Sequence, residues 1–473
     1  MAGGLMQLVA YGAQDVYLTG NPKVTFFQAV YKRHTNFAME NIEQTVNGTA
    51  TNGGRISVTI ARNGDLIGQM YMDLQTLPGL SSAAGTGINT GIWAAERAVA
   101  DIELSIGGQR IDKHYQLWWR LYAELFLSSE EKAKYNKLTT NSVGNPGSAV
   151  IYSNQVFLPL IFFFNRNPGL YLPLIALQYH EVRLDFDLSS DFTNYLTTNI
   201  RVWGNYVYLD TEERRRFAQK GHEYLIEQVQ HTGADAVTAG TSSSGSTTQV
   251  RLSYNHPVKE LIWCYNNGVN QNNQVWNFTS NSTTNNGVTL ESNPLNVSAI
   301  AANTVVFVGT SDNNIIHYVG GGKGTSGALS SVAYGNVTAT NAYTSSLQWV
   351  EEGVPGLVSN AAIASSAGPL DQFKLILNGQ DRFKEQSGKY FNQMQPMWHH
   401  TGSPYPGIYC YSFALKPEEH QPTGTCNFSR IDNAQVQVRL KPLTGNSTAQ
   451  WMFAVNYNVL RIQSGMGGLA FSN

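Results

Sequence analysis

The feature that most constrains this chain is a period of two. Apolar and polar residues alternate in short runs, each closed by a turn signal, and only one long stretch carries a helical period. Ile56, Val58 and Ile60 alternate with Ser57, Thr59 and Ala61. Asn63-Gly64 then marks a tight turn, and Asp65-Leu66-Ile67 opens a second strand. Ile102, Leu104 and Ile106 alternate with Glu103 and Ser105 ahead of Gly107-Gly108. Val182, Leu184 and Phe186 alternate with Arg183, Asp185 and Asp187, and Val436, Val438 and Leu440 with Gln435, Gln437 and Arg439. Successive side chains on a strand point to opposite faces, so each run predicts a half-buried strand. The helical stretch runs from Asp112 to about Lys137, with Tyr115, Trp118, Tyr122, Leu125 and Phe126 on its apolar side. It reads as a connection between strands rather than a layer. A shorter helix is expected from Thr211 to Ala218, with Thr211 as its cap, near the middle of the chain.

The two halves share motifs in a common order. Ile106-Gly107-Gly108-Gln109-Arg110 matches Leu377-Asn378-Gly379-Gln380-Asp381-Arg382, each after an alternating strand. Phe27 to Thr35 matches Ile226 to Thr232, and Val182-Arg183-Leu184 matches Val438-Arg439-Leu440. Their common order predicts two copies of one β fold. The spacing grows between the first two landmarks of the second copy, and Asn266 to Ser346 is the source. That stretch is rich in Asn, Ser, Thr and Gly, a composition that belongs in long surface loops.

A chain of 473 residues is too long for one ordinary core, which also favours two domains. Net charge is −2 and only 14% of residues are charged, so the whole chain offers no basic surface for nucleic acid. The one basic cluster is Arg214-Arg215-Arg216 with Lys220. Glu212 and Glu213 beside it predict a solvated, internally paired stretch. Cys264, Cys410 and Cys426 form no CxxC pair, which fits a reducing compartment, and Cys264 and Cys410 read as small buried hydrophobes. The N-terminus lacks the pattern of a signal peptide, and the longest apolar run, Val156 to Phe164, is too short to span a bilayer.

Enzymatic constellations are not found. No P-loop, GxSxG or HExxH spacing occurs, and Gly320-Gly321-Gly322-Lys323-Gly324-Thr325 lacks the P-loop spacer and reads as a flexible loop. His399-His400 is the one histidine pair. Neighbours on a strand face opposite ways and no nearby carboxylate is evident, so no metal set is expected. Seven N-x-S/T sequons occur, at Asn47, Asn277, Asn281, Asn296, Asn336, Asn427 and Asn446. Asn277, Asn281, Asn296 and Asn336 fall in the polar insertion and are the candidate glycosylation sites. Chance in an Asn/Ser/Thr-rich chain is the plainer account of them.

Several long strings resemble one family. Met1-Ala2-Gly3-Gly4-Leu5 and the run Gln7 to Pro22 resemble the opening of major capsid proteins of nucleocytoplasmic large DNA viruses, with the chlorovirus-like branch nearest. So do Gly107 to Tyr115, Leu172 to Val182, His222 to Gln228, Asn378 to Phe383, Tyr411 to Pro417, Gly424 to Asn433, Asn456 to Ile462 and Ser464 to Ala470. The resemblance runs end to end and departs mainly in the loops from Asn266 to Ser346.

The resemblance implies an all-β double jelly roll: two consecutive eight-stranded antiparallel jelly rolls with short connecting helices. It implies an N-terminal arm over 1–24, a first jelly roll over 25–212, a linker over 213–223, and a second jelly roll over 224–473 with long loops at about 266–346. It further implies homotrimers of pseudo-hexagonal outline, neighbouring capsomers, and minor capsid and penton proteins as partners. The setting would be a virion shell, made in the host cytoplasm, over an internal membrane that the chain does not span. No cofactor, no metal, no direct nucleic-acid contact and no catalysis are expected. The aromatic content and Asn-rich loops also fit a lectin-like carbohydrate-binding sandwich, and a hydrolase or metal-dependent oxygenase stands third.

Overall fold

A computed structural model describes residues 3–76, 94–139, 155–190, 192–194, 196–237, 247–267, 307–308, 317–318, 369–404, 407–440 and 448–471. The chain divides into two units, Met1–Phe37 and Ala38–Asn473. In the first, a helix over Gly3–Val9 and a short one over Val16–Thr19 bury no residue. Tyr17, Leu18, Phe26, Phe27 and Tyr31 are almost wholly exposed, Phe27 at 99%.

The second unit is built on strands β1 (Phe37–Gln44, from Ala38 onward), β2 (Arg55–Thr59), β3 (Leu66–Thr76), β4 (Val99–Ile106), β5 (Gln109–Tyr115), β6 (Gln155–Pro159), β7 (Val182–Leu188) and β8 (Leu196–Leu209). The series continues with β9 (His222–Val237), β10 (Thr247–Leu252), β11 (Pro257–Asn267), β12 (Leu370–Leu377), β13 (Gln380–Asp381), β14 (Ile408–Ser412), β15 (Ala434–Leu440) and β16 (Thr448–Gln463). The first eight pair as β1-β8-β3-β6 and β2-β7-β4-β5. The last eight pair as β9-β16-β11-β14 and β10-β15-β12-β13. Adding eight to each label of the first half gives the second, so the two halves are the same jelly roll, one after the other. The longer helices of this unit are α1 (Gln116–Phe126), α2 (Ser129–Thr139) and α3 (Thr211–Gln219). Among the described residues no helix is long and apolar enough to cross a membrane.

The alternating runs behave as their period requires. Val182, Leu184 and Phe186 on β7 and Val436, Val438 and Leu440 on β15 all point inward and are buried. The paired glycine motifs occupy one position in both copies. Gly107 (φ +58°) and Gly108 (φ +81°) turn β4 into β5, and Asn378 (φ +50°) and Gly379 (φ +79°) turn β12 into β13. Left-handed φ at both central residues is what a two-residue hairpin needs, hence Gly and Asn. Val182 and Val438 likewise sit on equivalent strands, β7 and β15.

Four sequence expectations need correction. Ile56 to Ile67 is not a hairpin: β2 pairs with β7 and β3 with β8, so the turn at Gly64 carries the chain from one sheet to the other. Gly64 lies so close under Tyr206 that a Cβ there would fall 2.9 Å from the Tyr206 Cβ. The helix over Asp112 to Lys137 is two helices, α1 and α2, because Asp112 to Tyr115 belong to β5 and pair with β4. The short mid-chain helix is preceded by Asp210, not capped by Thr211. Finally, Phe27 to Thr35 is not the counterpart of Ile226 to Thr232. The latter lie on β9, whose equivalent is β1, while Phe27 to Thr35 form no strand.

Candidate functional site: the joint between the jelly rolls

In one sheet of the second jelly roll, strands β11, β14 and β16 are buried on both faces over much of their length. Along β11, β14 and β16, alternate residues fall into different clusters. Leu261, Trp263, Tyr265, Tyr409, Met452 and Ala454 fill the second jelly roll's own core. Ile262, Cys264, Ile408, Cys410, Phe453 and Val455 turn the other way and join the core of the first. A strand with no wet face reads as a continuous apolar run, as Leu261 to Tyr265 does.

Helix α1 fills the space between. Its hydrophobic residues Leu117, Trp118, Trp119, Leu121 and Leu125 are buried, and so are Arg120 and Glu124. The expectation that it merely links strands is therefore corrected: it is packed from both sides. Toward the first jelly roll, the Trp119 indole N–H donates to the Pro159 carbonyl at 3.1 Å. Arg120 and Lys132 flank Glu124 at 3.3 and 2.7 Å, so those buried charges compensate one another. Toward the second jelly roll, Trp118 lies 5.7 Å from Phe453, and His231 stacks on Phe453 at 4.4 Å with Tyr115 edge-on at 4.9 Å. Backbone groups tie the halves directly. The Val229 N–H donates to the Asp112 carboxylate at 3.0 Å, Tyr179 N–H to the Gly465 carbonyl at 3.0 Å, and Leu469 N–H to the Gln109 side-chain carbonyl at 3.1 Å.

Two charged groups are set into this joint. In one, Glu227 of β9 meets Arg166 of the first jelly roll at 2.9 Å and Lys259 of β11 at 2.5 Å. The Lys259 ammonium also donates to the Pro417 carbonyl at 2.7 Å. Burial pushes the Glu227 carboxyl up, but Arg166 and Lys259 outweigh it and hold it below its ordinary range. Burial draws the Lys259 ammonium down, against the pull of Glu227.

In the other group, His400 follows a short helix, α4 (Gln395–His399). Its ring has Nε2 on the Glu260 carboxylate and Nδ1 on the Glu418 carboxylate at 3.1 Å, with Phe126 of α1 edge-on at 5.0 Å. Burial favours the neutral ring, but Glu260 outweighs it and raises the imidazole well above its ordinary value. Burial pushes the neighbouring Cys410 thiol up to about 11, with His400 opposing.

These positions revise the sequence reading of the histidine pair. His399 ends a helix rather than lying on a strand, and two carboxylates do stand beside His400. The basic cluster lies on α3 with its arginines exposed. Arg214 pairs with Asp65 at 2.9 Å rather than with the glutamates beside it in sequence. Asn277, Asn281, Asn296 and Asn336, the glycine run 320–325 and Asn446 lie outside the described residues. Asn47 and Asn427 are exposed, each in a two-residue strand. Sequence reasoning missed Glu227, Lys259 and Glu260. The signal was there: Lys259-Glu260 interrupts an otherwise apolar strand, and charges in such a run are buried only when paired.

Comparison with known proteins gives the same end-to-end agreement. Residues 213–468 match the family "Large eukaryotic DNA virus major capsid protein", and residues 25–210 match "Major capsid protein N-terminus". The chain is 41% identical to the major capsid protein of Phaeocystis pouchetii virus and 41% identical to that of Paramecium bursaria Chlorella virus 1, covering 100% of each chain in both cases. It superposes on a chain of the PBCV-1 virus capsid with a TM-score of 0.71 at 36% identity, over 95% of this chain and 100% of that one. The Faustovirus major capsid protein shares the fold, with a TM-score of 0.62 at 13% identity over 97% and 96% of the two chains. With one strand order repeated in tandem and both family matches in register with it, this chain belongs to the major capsid proteins of large eukaryotic DNA viruses.

Proposed function

We infer that three copies of this chain assemble into a capsomer of pseudo-hexagonal outline, and that such capsomers tile the shell of a virion. The observation that carries this is the repeated strand order across a buried joint. Two like lobes held side by side become six around a three-fold axis, which is the outline a hexagonal lattice needs. Closed sandwiches expose few strand edges, so copies crowd without pairing edge to edge. A net charge of −2 adds little mutual repulsion.

In this reading residues 1–24 are an arm, 25–212 the first jelly roll, 213–223 the linker and 224–473 the second. The exposed Leu8, Tyr17, Leu18 and Phe26 of the N-terminal unit suit a segment that is covered in the shell, against neighbouring capsomers or minor capsid and penton proteins. An internal membrane lies beneath and is not spanned. The protein is made in the host cytoplasm and acts as a scaffold without catalysis, and Asn277, Asn281, Asn296 and Asn336 are its candidate glycosylation positions. Electron microscopy of the purified oligomer tests the proposal. Six lobes with three-fold symmetry support it, and a two-lobed particle overturns it. Deleting residues 1–24 leaves the trimer intact and impairs shell assembly.

A further inference from the structure

We propose that Glu260, His400 and Cys410 form a binding site for a divalent cation of the zinc type, at the place where the second jelly roll meets the first. One ligand atom from each residue lies within 4.8 Å of the others. The fold brings them together from three separated elements. On the paired strands β11 and β14, Glu260 stands opposite Ser412 and Ile262 opposite Cys410. Glu260 and Ile262 share a face of the pleat, so Glu260 and Cys410 project to the same side, one step apart. His400 arrives over that face from the end of α4.

The donors suit one class of ion. Imidazole nitrogen, thiolate sulfur and carboxylate oxygen are the three ligand types of protein zinc sites, whereas Mg²⁺ and Ca²⁺ take oxygen alone. The surroundings are those of a ligand sphere. His400 presents Nε2 to the cluster while its Nδ1 faces Glu418 at 3.1 Å, the carboxylate–histidine support that orients metal-bound imidazoles. Glu418 is itself fixed by the Thr401 N–H at 2.9 Å. The side chains of Glu260 and His400 are completely buried. Among the described residues the buried Glu260 Oε2 has no hydrogen-bond partner, and a buried carboxylate oxygen left bare is costly unless a cation meets it.

The ion's place explains what it would do. His400 is followed at once by Thr401, Gly402 and Ser403, which hold the first jelly roll. The Thr401 hydroxyl donates to the Phe126 carbonyl at 3.2 Å, Gly402 N–H to the Leu125 carbonyl at 3.0 Å, and Lys132 to the Ser403 carbonyl at 3.3 Å. An ion joining His400 to β11 and β14 pins this segment to the second sheet, and through it fixes the angle between the two lobes.

The full-length chain tests this directly. Expressed with zinc, it carries one zinc per chain by elemental analysis. After chelation and reloading with Co²⁺ it shows a thiolate-to-cobalt charge-transfer band. Cys410→Ser loses the band, whereas Cys264→Ser and Cys426→Ser keep it. Glu418→Gln, which removes the carboxylate behind the imidazole without touching a proposed ligand, weakens cobalt binding about tenfold or more. The wild-type readings do not depend on any variant folding. Absence of both zinc and the cobalt band in folded wild-type protein would overturn the proposal and leave His400 as an imidazolium between two carboxylates. So would a band that survives Cys410→Ser and is lost in Cys264→Ser or Cys426→Ser.

Discussion

Gly402 and Leu125 touch backbone to backbone across the joint. The Gly402 N–H donates to the Leu125 carbonyl at 3.0 Å, and a Cβ on Gly402 would fall 2.4 Å from that oxygen and 2.5 Å from the Glu124 carbonyl oxygen. Neither obstacle is a flexible side-chain end, so the segment must move away. Gly402→Ala is expected to cost about 1–3 kcal/mol, the usual range for overpacking a close contact. Thermal unfolding checks it: a lower Tm is expected, and an unchanged Tm would show that the contact carries no weight.

Glu227 compensates Lys259, whose side chain is 1% exposed, and also reaches Arg166 on the first jelly roll. Removing it strands a buried ammonium. Glu227→Ala should destabilise the chain by about 3–5 kcal/mol, and Glu227→Leu with Lys259→Met should recover most of that loss. Denaturant titration of single and double variants measures the difference. A double variant no better than the single one would contradict buried compensation.

His231 makes the joint sensitive to acid. Burial holds its imidazole below the ordinary value of 6.5, only partly offset by its hydrogen bond to the Met452 carbonyl. With the folded value below the unfolded one, the unfolded chain binds the proton first. The contribution is full above 6.5 and is lost as pH falls through the folded value. The expected result is a Tm that drops on acidification below 6.5, with a shallower drop in His231→Gln. An equal slope in both proteins would remove His231 from the account.

The two glycine hairpins separate backbone cost from packing cost. Among the described residues nothing lies within 4 Å of a would-be Cβ on Gly379, whereas one on Gly107 would fall 2.3 Å from His180 Nδ1. Both have left-handed φ, so Gly379→Ala should cost about 1–2 kcal/mol for conformation alone. Gly107→Ala should cost more, through displacement of His180. Equilibrium unfolding of the two variants reads the order, and the reverse order would be evidence against this assignment of turn and contact.

The sequence made strands legible where one face is wet and one is dry. β7 and β15 alternate cleanly, and the glycine turns mark equivalent corners of the two copies. It hid elements whose partners are distant. β2 and β3 look like a hairpin because a two-residue turn signal reports a local reversal, not which sheet each strand joins. Leu261 to Tyr265 is buried on both faces, so its alternation between two cores leaves no mark in polarity. The helical period began too early because Asp112 to Tyr115 contain apolar residues at spacings that serve a strand as well as a helix. Glu260, His400 and Cys410 were invisible as a group, since they converge only through the pairing of β11 with β14 and the return of the chain after α4.

The central claim is that two jelly rolls, joined as one body, trimerise into a capsomer. The most direct measurement is the solution mass of the purified full-length chain by light scattering at neutral pH and moderate salt. The account predicts a stable species of three times 52.0 kDa. A clean monomer that persists as concentration rises would contradict it.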